Sequence, residues 1–326
     1  MSAPPGQGLS EQALIERFFA ARNPARDDVV LGIGDDAAIL RVPPGVELIA
    51  TVDAIVEGVH FLAGADAADV GWRALAVNLS DLAAMGAEPA WALLALVMPA
   101  ADERWLTRFT HGFFELAKKH GVALVGGDTN RGPLCVSVQL HGFAPAGAAL
   151  RRSGARPGDQ LYVTGTLGDA AAGLAVLRDA KQGESVGDEE LQRRFLRPEP
   201  RVREGFVLRG LASAAIDVSD GLGVDAGRLA RASGVGLEIE LERVPASAEL
   251  RAAHGEKEAH ALALGGGDDY ELLFTVSPEH AVELARTSTT WTCGCTRIGR
   301  VVAEPGVHVR LHGLEQPVTN PGFRHF

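Results

Sequence analysis

Aspartate recurs in this chain in six short stretches, and five of them stand at the end of an apolar run. In the first stretch, residues 32–36, Asp35 and Asp36 are adjacent, and the flanking glycines allow the backbone to bend tightly. Two ionised carboxylates this close repel each other unless a cation or water lies between them. The other stretches are residues 51–53, 78–81, 126–129, 217–221 and 266–269. Their recurrence predicts that the fold brings several carboxylates together around divalent metal ions.

Each stretch alone has an ordinary structural explanation, because an aspartate beside glycine often bonds to the local backbone in a turn. Turn formation does not explain why five of the six aspartate stretches follow apolar runs. Apolar runs of this kind predict strands, and α/β sheets hold their ligands at the ends of strands. Carboxylates combined with the hydroxyls of Thr51 and Ser219 suit Mg²⁺, which takes a few protein oxygens plus water and phosphate. His60 follows Asp53 closely and adds a polar group, although a lone histidine is more often structural.

The sequence context excludes other motifs that bind nucleotides or metals. Residues 32–37 match G-x-G-x-x-A, but that fingerprint must open a helix, and here only six residues of extended pattern separate Asp36 from Pro43. The sequence contains no P-loop, no H-R-D and no D-F-G motif. Cys293 and Cys295 could form half of a metal site, but no second pair stands at zinc spacing. We therefore interpret them as structural thiols.

The composition is typical of a globular protein with a buried core, with 46% hydrophobic and 22% charged residues. A length of 326 residues favours about two domains. The net charge of −11 argues against nucleic acid or a membrane as partner, and anionic substrates would need metal ions as intermediaries. Three cysteines and the lack of an apolar leader favour a reducing, cytoplasmic location. No run is long enough for a membrane span.

Alternating and helical apolar patterns predict an α/β (α+β) protein of two domains, residues 1–145 and 146–326. Each domain is expected to hold a mixed sheet of about four or more strands with helices on one face. Predicted strands are residues 29–31, 39–42, 47–52, 91–98, 122–125, 134–143, 160–164, 214–218, 237–241, 270–276, 296–302 and 307–311. Predicted helices are residues 10–22, 67–85, 102–120, 169–178, 200–212, 224–232, 246–254, 257–264 and 278–287.

Eight stretches, taken in order, resemble the thiamine-monophosphate kinase family and cover nearly the whole chain. They are residues 32–40, 51–61, 76–89, 126–132, 152–159, 216–222, 266–274 and 322–326. This family is grouped with the ATP-dependent aminoimidazole ribonucleotide and selenophosphate synthetases. The resemblance implies a PurM-like fold and a homodimer formed through the sheets of the N-terminal domains. It also implies in-line transfer of the γ-phosphoryl group of ATP to thiamine monophosphate, assisted by several Mg²⁺ ions.

The resemblance also implies roles for individual residues. The metal ligands would be Asp36, Thr51, the main chain of Val52, Asp53, Asp81, Asp128, Asp217 and Asp220. Of these, Asp53, Asp81 and Asp128 would assist catalysis directly, in a site shared by both domains. ATP would contact Gly127, Asp128, Arg152 and Ser219, and thiamine would contact His60, Asp268 and Phe323. Asp268 replaces the usual Glu and Phe323 the usual Tyr or Trp, so we expect the substrate contacts to differ from the family pattern.

No general base is evident, and none is required, because a phosphate monoester with a second pKa of about 6 is already ionised at neutral pH. The sequence leaves three alternatives open. One is a related ATP-dependent enzyme acting on selenide or a formylglycinamidine, although the first cysteine is only Cys135. Another is a non-catalytic dimer that binds thiamine or a nucleotide, against which the intact set of aspartates argues. The third is a metal-dependent phosphohydrolase.

Overall fold

The computed structural model describes residues 10–179, 189–316 and 322. Its helices are α1 (Glu11–Leu14), α2 (Ala67–Ala84), α3 (Glu103–Lys119), α4 (Asp169–Asp179), α5 (Glu189–Leu196), α6 (Val202–Leu208), α7 (Leu222–Ser233), α8 (Ala248–Gly265) and α9 (Ala281–Ser288). Its strands are β1 (Val29–Leu31), β2 (Ile39–Leu40), β3 (Val46–Val56), β4 (Glu88–Met98), β5 (Ala123–Arg131), β6 (Cys135–Pro145), β7 (Gln160–Thr164), β8 (Ala212–Val218), β9 (Gly236–Glu240), β10 (Glu271–Val276), β11 (Cys295–Val302), β12 (Gly306–Leu311) and β13 (Leu314–Gln316). No helix in these ranges is both long enough and apolar enough to cross a bilayer.

The chain divides into two compact units. The first contains the residues up to Asn78 together with Pro89–Pro145. The second contains Leu79–Glu88, which include the last turns of α2, together with the chain from Ala146 onward. The predicted fold class, α/β with mixed sheets, is confirmed by a sheet of four strands in the first unit and a sheet of seven in the second.

The sheet of the first unit has the order β3-β6-β4-β5 and two unlike faces. On β6, Val136 and Val138 are almost completely buried, while Ser137, Gln139 and His141 between and beyond them are more accessible. This alternation is typical of a sheet with one face covered and the other, here called the open face, accessible. The two helices α2 and α3 pack closely against each other, because Gly71 and Gly112 leave room for the opposing backbone.

The hairpin of β1 and β2 covers one end of the open face. Val29, Ala38 and Leu40 pack there against Trp91 and Phe143, whose rings meet edge to face at 5.0 Å. The loop that joins the two strands holds the first pair of aspartates, so this apolar cluster fixes that loop beside the sheet.

The sheet of the second unit has the order β13-β12-β9-β11-β7-β10-β8. Neighbouring strands are antiparallel, except that β12 runs parallel to β9. A core of buried aliphatic residues, among them Leu161, Ile216, Leu229, Leu273 and Ile298, joins this sheet to α7 and α8. Gly255 breaks α8 with non-helical dihedral angles, which agrees with the two successive helices predicted there.

Several predicted elements differ from the structure. The helix predicted over residues 200–212 ends at Leu208, and Ala212 already belongs to β8. The strand predicted to end before Asp53 continues to Val56, and the strand predicted to end near Asp128 continues to Arg131. The predicted N-terminal helix is α-helical only in its first turn, after which a π-helix covers Ile15–Phe19 and a 3₁₀ turn Ala20–Arg22. Residues 181–188, whose polar composition predicts a loop, lie outside the described residues.

Candidate active site

The open face of the first unit borders a cavity of about 1420 Å³. Its walls come from the β1–β2 loop, from strands β3 to β6 and from the N-terminal helical segment. Four of the predicted site residues line it, namely Asp36, Val52, Gly127 and Asp128. The first glycine-aspartate stretch and the stretch at residues 126–129 therefore line the same cavity.

The two adjacent aspartates of the β1–β2 loop have different surroundings. The carboxylate of Asp35 accepts a hydrogen bond from the backbone N–H of Asp36 at 2.8 Å, and Gly34 has a left-handed φ of 126°. Asp35 thus shapes the turn, which is the ordinary role of aspartate beside glycine. Both residues are exposed and line the cavity, but it is the Asp35 carboxylate that is bonded to the backbone of the turn. This difference favours Asp36 as the ligand of the pair.

Gly127 and Asp128 stand on β5, alongside β4. A side chain at position 127 would collide with the backbone carbonyl of Leu94, and the φ of Gly127 is 152°, so only glycine fits there without strain. The carboxylate of Asp128 accepts hydrogen bonds from the backbone N–H of Thr129 at 2.9 Å and from the side-chain amide of Asn130 at 2.5 Å. These two bonds fix the direction in which the exposed Asp128 points.

Thr51 and Asp53 project away from the cavity, although both stand on β3 beside Val52. Asp53 is paired with the buried Val138, whereas Val52 is paired with the exposed Gln139. Because alternate residues of a strand point to opposite faces, Thr51 and Asp53 share the covered face and Val52 the open face. Within the first unit, the structure therefore separates these predicted ligands from Asp36 and Asp128.

Two histidines lie near this region, one bonded to the backbone and the other partly buried. The Nδ1 atom of His60 accepts a hydrogen bond from the backbone N–H of Val56 at 3.1 Å, which ties it to the turn after β3. His141 lines the cavity, and burial lowers the pKa of its ring below the ordinary value of 6.5. A lowered pKa leaves the ring of His141 uncharged at neutral pH.

In the second unit, a buried carboxylate lies at the end of β8. Asp217 accepts a hydrogen bond from the hydroxyl of Ser80 at 2.8 Å. Burial and, next in size, the Asp81 carboxylate raise the pKa of Asp217 to about 7, although Ser80 and Arg152 act in the opposite direction. Asp81 and Arg152 therefore lie close enough to Asp217 to act on it electrostatically. Two like charges held this way favour a bound cation.

The loop after β8 is fixed by the first turn of α7. The buried carboxylate of Asp225 accepts hydrogen bonds from the backbone N–H groups of Ser219 at 3.0 Å and of Asp220 at 2.9 Å. Arg228 pairs with Asp225 at 2.6 Å and with the Asp220 carboxylate at 2.5 Å. Gly221 enters the helix with a φ of 107°. The main chain between β8 and α7 is therefore rigidly placed.

A buried ion network lies beneath the next loop, residues 266–270. The carboxylate of Glu271 is inaccessible to solvent and pairs with Arg201 at 2.5 Å and with Arg194 at 2.9 Å. Burial alone would raise the pKa of Glu271, but the two guanidinium groups outweigh it, so the pKa is lowered. Glu271 is therefore ionised and fully paired, and it anchors the strand that carries Asp268 on the preceding loop.

The described residues do not assemble one metal centre from all the predicted ligands. Within residues 10–179, 189–316 and 322, no three His, Cys, Asp or Glu side chains form a group that could hold a metal ion. The carboxylates stand instead around the cavity of the first unit and around Asp217 in the second. Convergence on shared cations stays a prediction. Phe323, predicted at the thiamine end, lies outside the described residues.

The sequence analysis missed the residues that hold the loops. Ser80, Asp225 and Arg228 were assigned no role, yet each bonds to a predicted site residue or to its backbone. The signal for Asp225 was available, since an acidic residue in the first turn of a predicted helix commonly binds the backbone N–H groups there. Nothing in the sequence pairs Ser80 with Asp217, because the two residues are far apart in the chain.

Comparison with known proteins identifies the family. The models for AIR synthase related protein match residues 34–144 as the N-terminal domain and residues 156–312 as the C-terminal domain. The thiamine-monophosphate kinase of Salmonella typhimurium is 45% identical over 322 residues, covering 97% of this chain and 98% of that protein. The chain belongs to the thiamine-monophosphate kinase family. The resemblance inferred from its ordered stretches is thereby confirmed.

Solved structures of the thiamine-monophosphate kinase family share the fold. The enzyme from Stenotrophomonas maltophilia K279a has a TM-score of 0.87 and 46% identity, covering 94% of this chain and 98% of its own. AaThiL, solved in complex with AMPPCP and TMP, has a TM-score of 0.78 and 36% identity, and the match covers 90% of this chain and 92% of AaThiL. The similarity therefore spans both units of this chain rather than a single shared domain.

Proposed function

We infer that this chain phosphorylates thiamine monophosphate with ATP and releases thiamine diphosphate. The observation that carries this inference is 45% identity to a thiamine-monophosphate kinase over nearly the full length of both proteins. The complex of AaThiL with AMPPCP and TMP supports the same pair of substrates, because AMPPCP is an ATP analogue. The carboxylates proposed to bind the metal ions of these substrates lie in two places. Asp36 and Asp128 line the cavity of the first unit, and Asp217 lies near Asp81 in the second.

The residues of the chain act by positioning and by charge rather than by moving a proton. The attacking oxygen belongs to a phosphate monoester, which is ionised at neutral pH, so neither His60 nor an aspartate has to accept its proton. Phosphoryl transfer depends mostly on alignment and on stabilisation of charge. We assign that alignment to Gly127, Asp128, Arg152 and Ser219 for ATP, and to His60, Asp268 and Phe323 for thiamine monophosphate.

Magnesium fits the donor set of this chain. Asp217 is buried next to Asp81, and burial together with this second carboxylate raises its pKa to about 7. Oxygen donors of this kind are what Mg²⁺ binds. When bound, Mg²⁺ offsets the negative charges of the two phosphorylated substrates. The proposed ligands are Asp36, Thr51, the main chain of Val52, Asp53, Asp81, Asp128, Asp217 and Asp220.

We also propose that the protein is a homodimer joined through the open face of the first unit. Leu48 and Val52 are large apolar residues on that face of β3, and they are 45% and 65% exposed. Exposed apolar residues grouped on one sheet face mark an interaction surface. The cavity with Asp36 and Asp128 borders this face, so a second copy seated there would cover the cavity.

We also propose that the protein is located in the cytoplasm. Cys135, Cys293 and Cys295 are free thiols. Burial raises the pKa of Cys293 to about 11 and that of Cys295 to about 12, so both stay protonated and unreactive. Free thiols and the use of ATP are typical of the reducing cytoplasm.

One assay tests the reaction directly. The purified chain is incubated with ATP, Mg²⁺ and thiamine monophosphate, and the products are identified by mass. We expect ADP and thiamine diphosphate in equal amounts. Free phosphate released without any thiamine compound would indicate a phosphohydrolase, and γ-phosphate accepted only by another compound would indicate a related ATP-dependent enzyme. Tight binding of thiamine diphosphate without consumption of ATP would indicate a non-catalytic dimer.

The pair Asp35 and Asp36 offers a matched test of the metal assignment. We expect Asp36→Asn to lower kcat/KM by about a hundredfold and to raise the Mg²⁺ concentration needed for half-maximal rate. Asp35→Asn should change either quantity less than about threefold, because an amide oxygen can still accept the backbone N–H of Asp36. Steady-state kinetics at several Mg²⁺ concentrations measure both. Equal losses in the two variants would contradict the assignment of Asp36 alone.

A further inference from the structure

The loop at residues 266–270 joins α8 to β10 and has an unusual backbone. Asp268 has a φ of 70° and Tyr270 a φ of 52°, so two residues with side chains occupy the left-handed region. Residues other than glycine rarely adopt this conformation, and where they do, the surrounding structure must hold them in place. Such residues concentrate at ligand-binding sites.

The main chain of this loop is bound to the loop after β8. The N–H of Asp268 donates to the carbonyl of Ser219 at 2.8 Å, and the N–H of Tyr270 donates to the carbonyl of Val218 at 2.9 Å. Gly267 lies so close to Ser219 that an added Cβ would stand 2.6 Å from its carbonyl oxygen. The loop proposed to contact thiamine is therefore attached directly to the loop proposed to contact ATP.

The other side of the loop is anchored by Asp269. Its side chain is buried, and its carboxylate accepts the backbone N–H of Gly168 at 2.9 Å. Two residues further on, Glu271 is held by Arg194 and Arg201. With the backbone fixed on both sides, the direction of the Asp268 carboxylate depends on contacts of its own side chain.

One such contact comes from the neighbouring aromatic residue. The hydroxyl of Tyr270 donates a hydrogen bond to Oδ1 of Asp268 at 3.1 Å, and Tyr270 itself is 8% exposed. A bond to one carboxylate oxygen fixes the rotation of the whole group and therefore the direction of the other oxygen. The two left-handed residues on either side of Asp269 bring these side chains together.

We propose that Tyr270 is a positioning residue, which orients Asp268 toward the cationic, amino-bearing ring system of thiamine monophosphate. This role rests on the proposed function and on the assignment of Asp268 to the thiamine end. Tyr270 acts through Asp268 and does not itself touch the reacting phosphate.

The test is Tyr270→Phe, which removes the hydroxyl and keeps the ring. The KM for thiamine monophosphate should rise about tenfold, as expected when a hydrogen bond to a charged group is lost, while kcat and the KM for ATP change less than about twofold. Tyr162→Phe is the matched control, because its hydroxyl bonds to Gln160 at 2.6 Å in the same unit, away from Asp268. It should leave all three constants unchanged.

A second variant separates positioning from folding. In an Asp268→Asn background, Tyr270→Phe should raise the KM for thiamine monophosphate by less than about twofold, because the contact it serves is already altered. An unchanged KM in Tyr270→Phe, or equal losses in kcat and in both KM values, would overturn the role of Tyr270 alone. A wild-type chain that does not phosphorylate thiamine monophosphate would overturn the proposed function and this role together.

Discussion

Asp217→Asn is expected to lower kcat by at least about a thousandfold and at the same time to stabilise the metal-free protein at pH 8. The loss of activity follows from the proposed metal role, since an amide cannot replace a carboxylate in balancing the charge of Mg²⁺. The gain in stability follows from the structure. Asp217 is buried next to Asp81, and an ionised carboxylate there is repelled, whereas an amide of the same shape is not.

The pH dependence has a definite sign. The pKa of Asp217 is raised from the ordinary 3.8 to about 7 in the folded protein. Between these two values the unfolded chain has lost this proton while the folded chain still holds it, so stability falls as the pH rises. A rise of about 3 in pKa corresponds to at most about 4 kcal/mol of lost stability above pH 7. Below about pH 4 this contribution disappears.

Urea unfolding in EDTA from pH 4 to pH 8 measures this effect. The wild type should lose stability across that range more steeply than Asp217→Asn, and added Mg²⁺ should restore the wild type alone. Asp159→Asn is the control, since Asp159 is also buried in the second unit but accepts the backbone N–H of Arg156 at 3.0 Å and the hydroxyl of Ser213 at 2.6 Å. It should lose stability and keep kcat. Near-normal turnover of Asp217→Asn at saturating Mg²⁺ would refute the metal assignment.

The elements of the fold were largely predictable, and the exceptions have a physical cause. Hydrophobic periodicity placed Asp81 on α2 and predicted two helices on either side of the kink at Gly255. The same periodicity predicted ends for two strands, at Asp53 and near Asp128, that are earlier than those in the structure. Backbone hydrogen bonds continue β3 and β5 beyond those residues, because both are edge strands of the four-stranded sheet and tolerate polar side chains.

The candidate site was predictable only in its residue types. The recurring aspartates identified the stretches, but facing directions require the register of the sheet, and that register sets Asp53 apart from Asp128. The contacts that support the site were even harder to predict from the sequence. The pairs of Glu271 with Arg194 and Arg201 join residues distant in sequence, and such ion pairs leave no periodic signal.

The second large effect concerns the proposed dimer. The double variant Leu48→Glu/Ala50→Glu should convert the protein to a monomer at micromolar concentration. Both residues are exposed and lie on the same face of β3, two positions apart, so the change adds two charges to the open face of each copy. In a symmetric pair these charges would be desolvated or would face like charges, and either costs several kcal/mol. The fold of each copy should survive, because the two side chains are accessible in the monomer.

Analytical ultracentrifugation and kinetics, carried out together, distinguish the consequences. The control Val282→Glu/Leu314→Glu introduces the same charges at two exposed apolar positions of the second unit, and it should remain dimeric and active. The monomeric variant should lose at least about tenfold in kcat/KM, because the cavity that holds Asp36 and Asp128 borders the open face and would stay uncovered. A monomer with full activity would show that each copy completes its own site, and a wild-type monomer would refute the dimer itself.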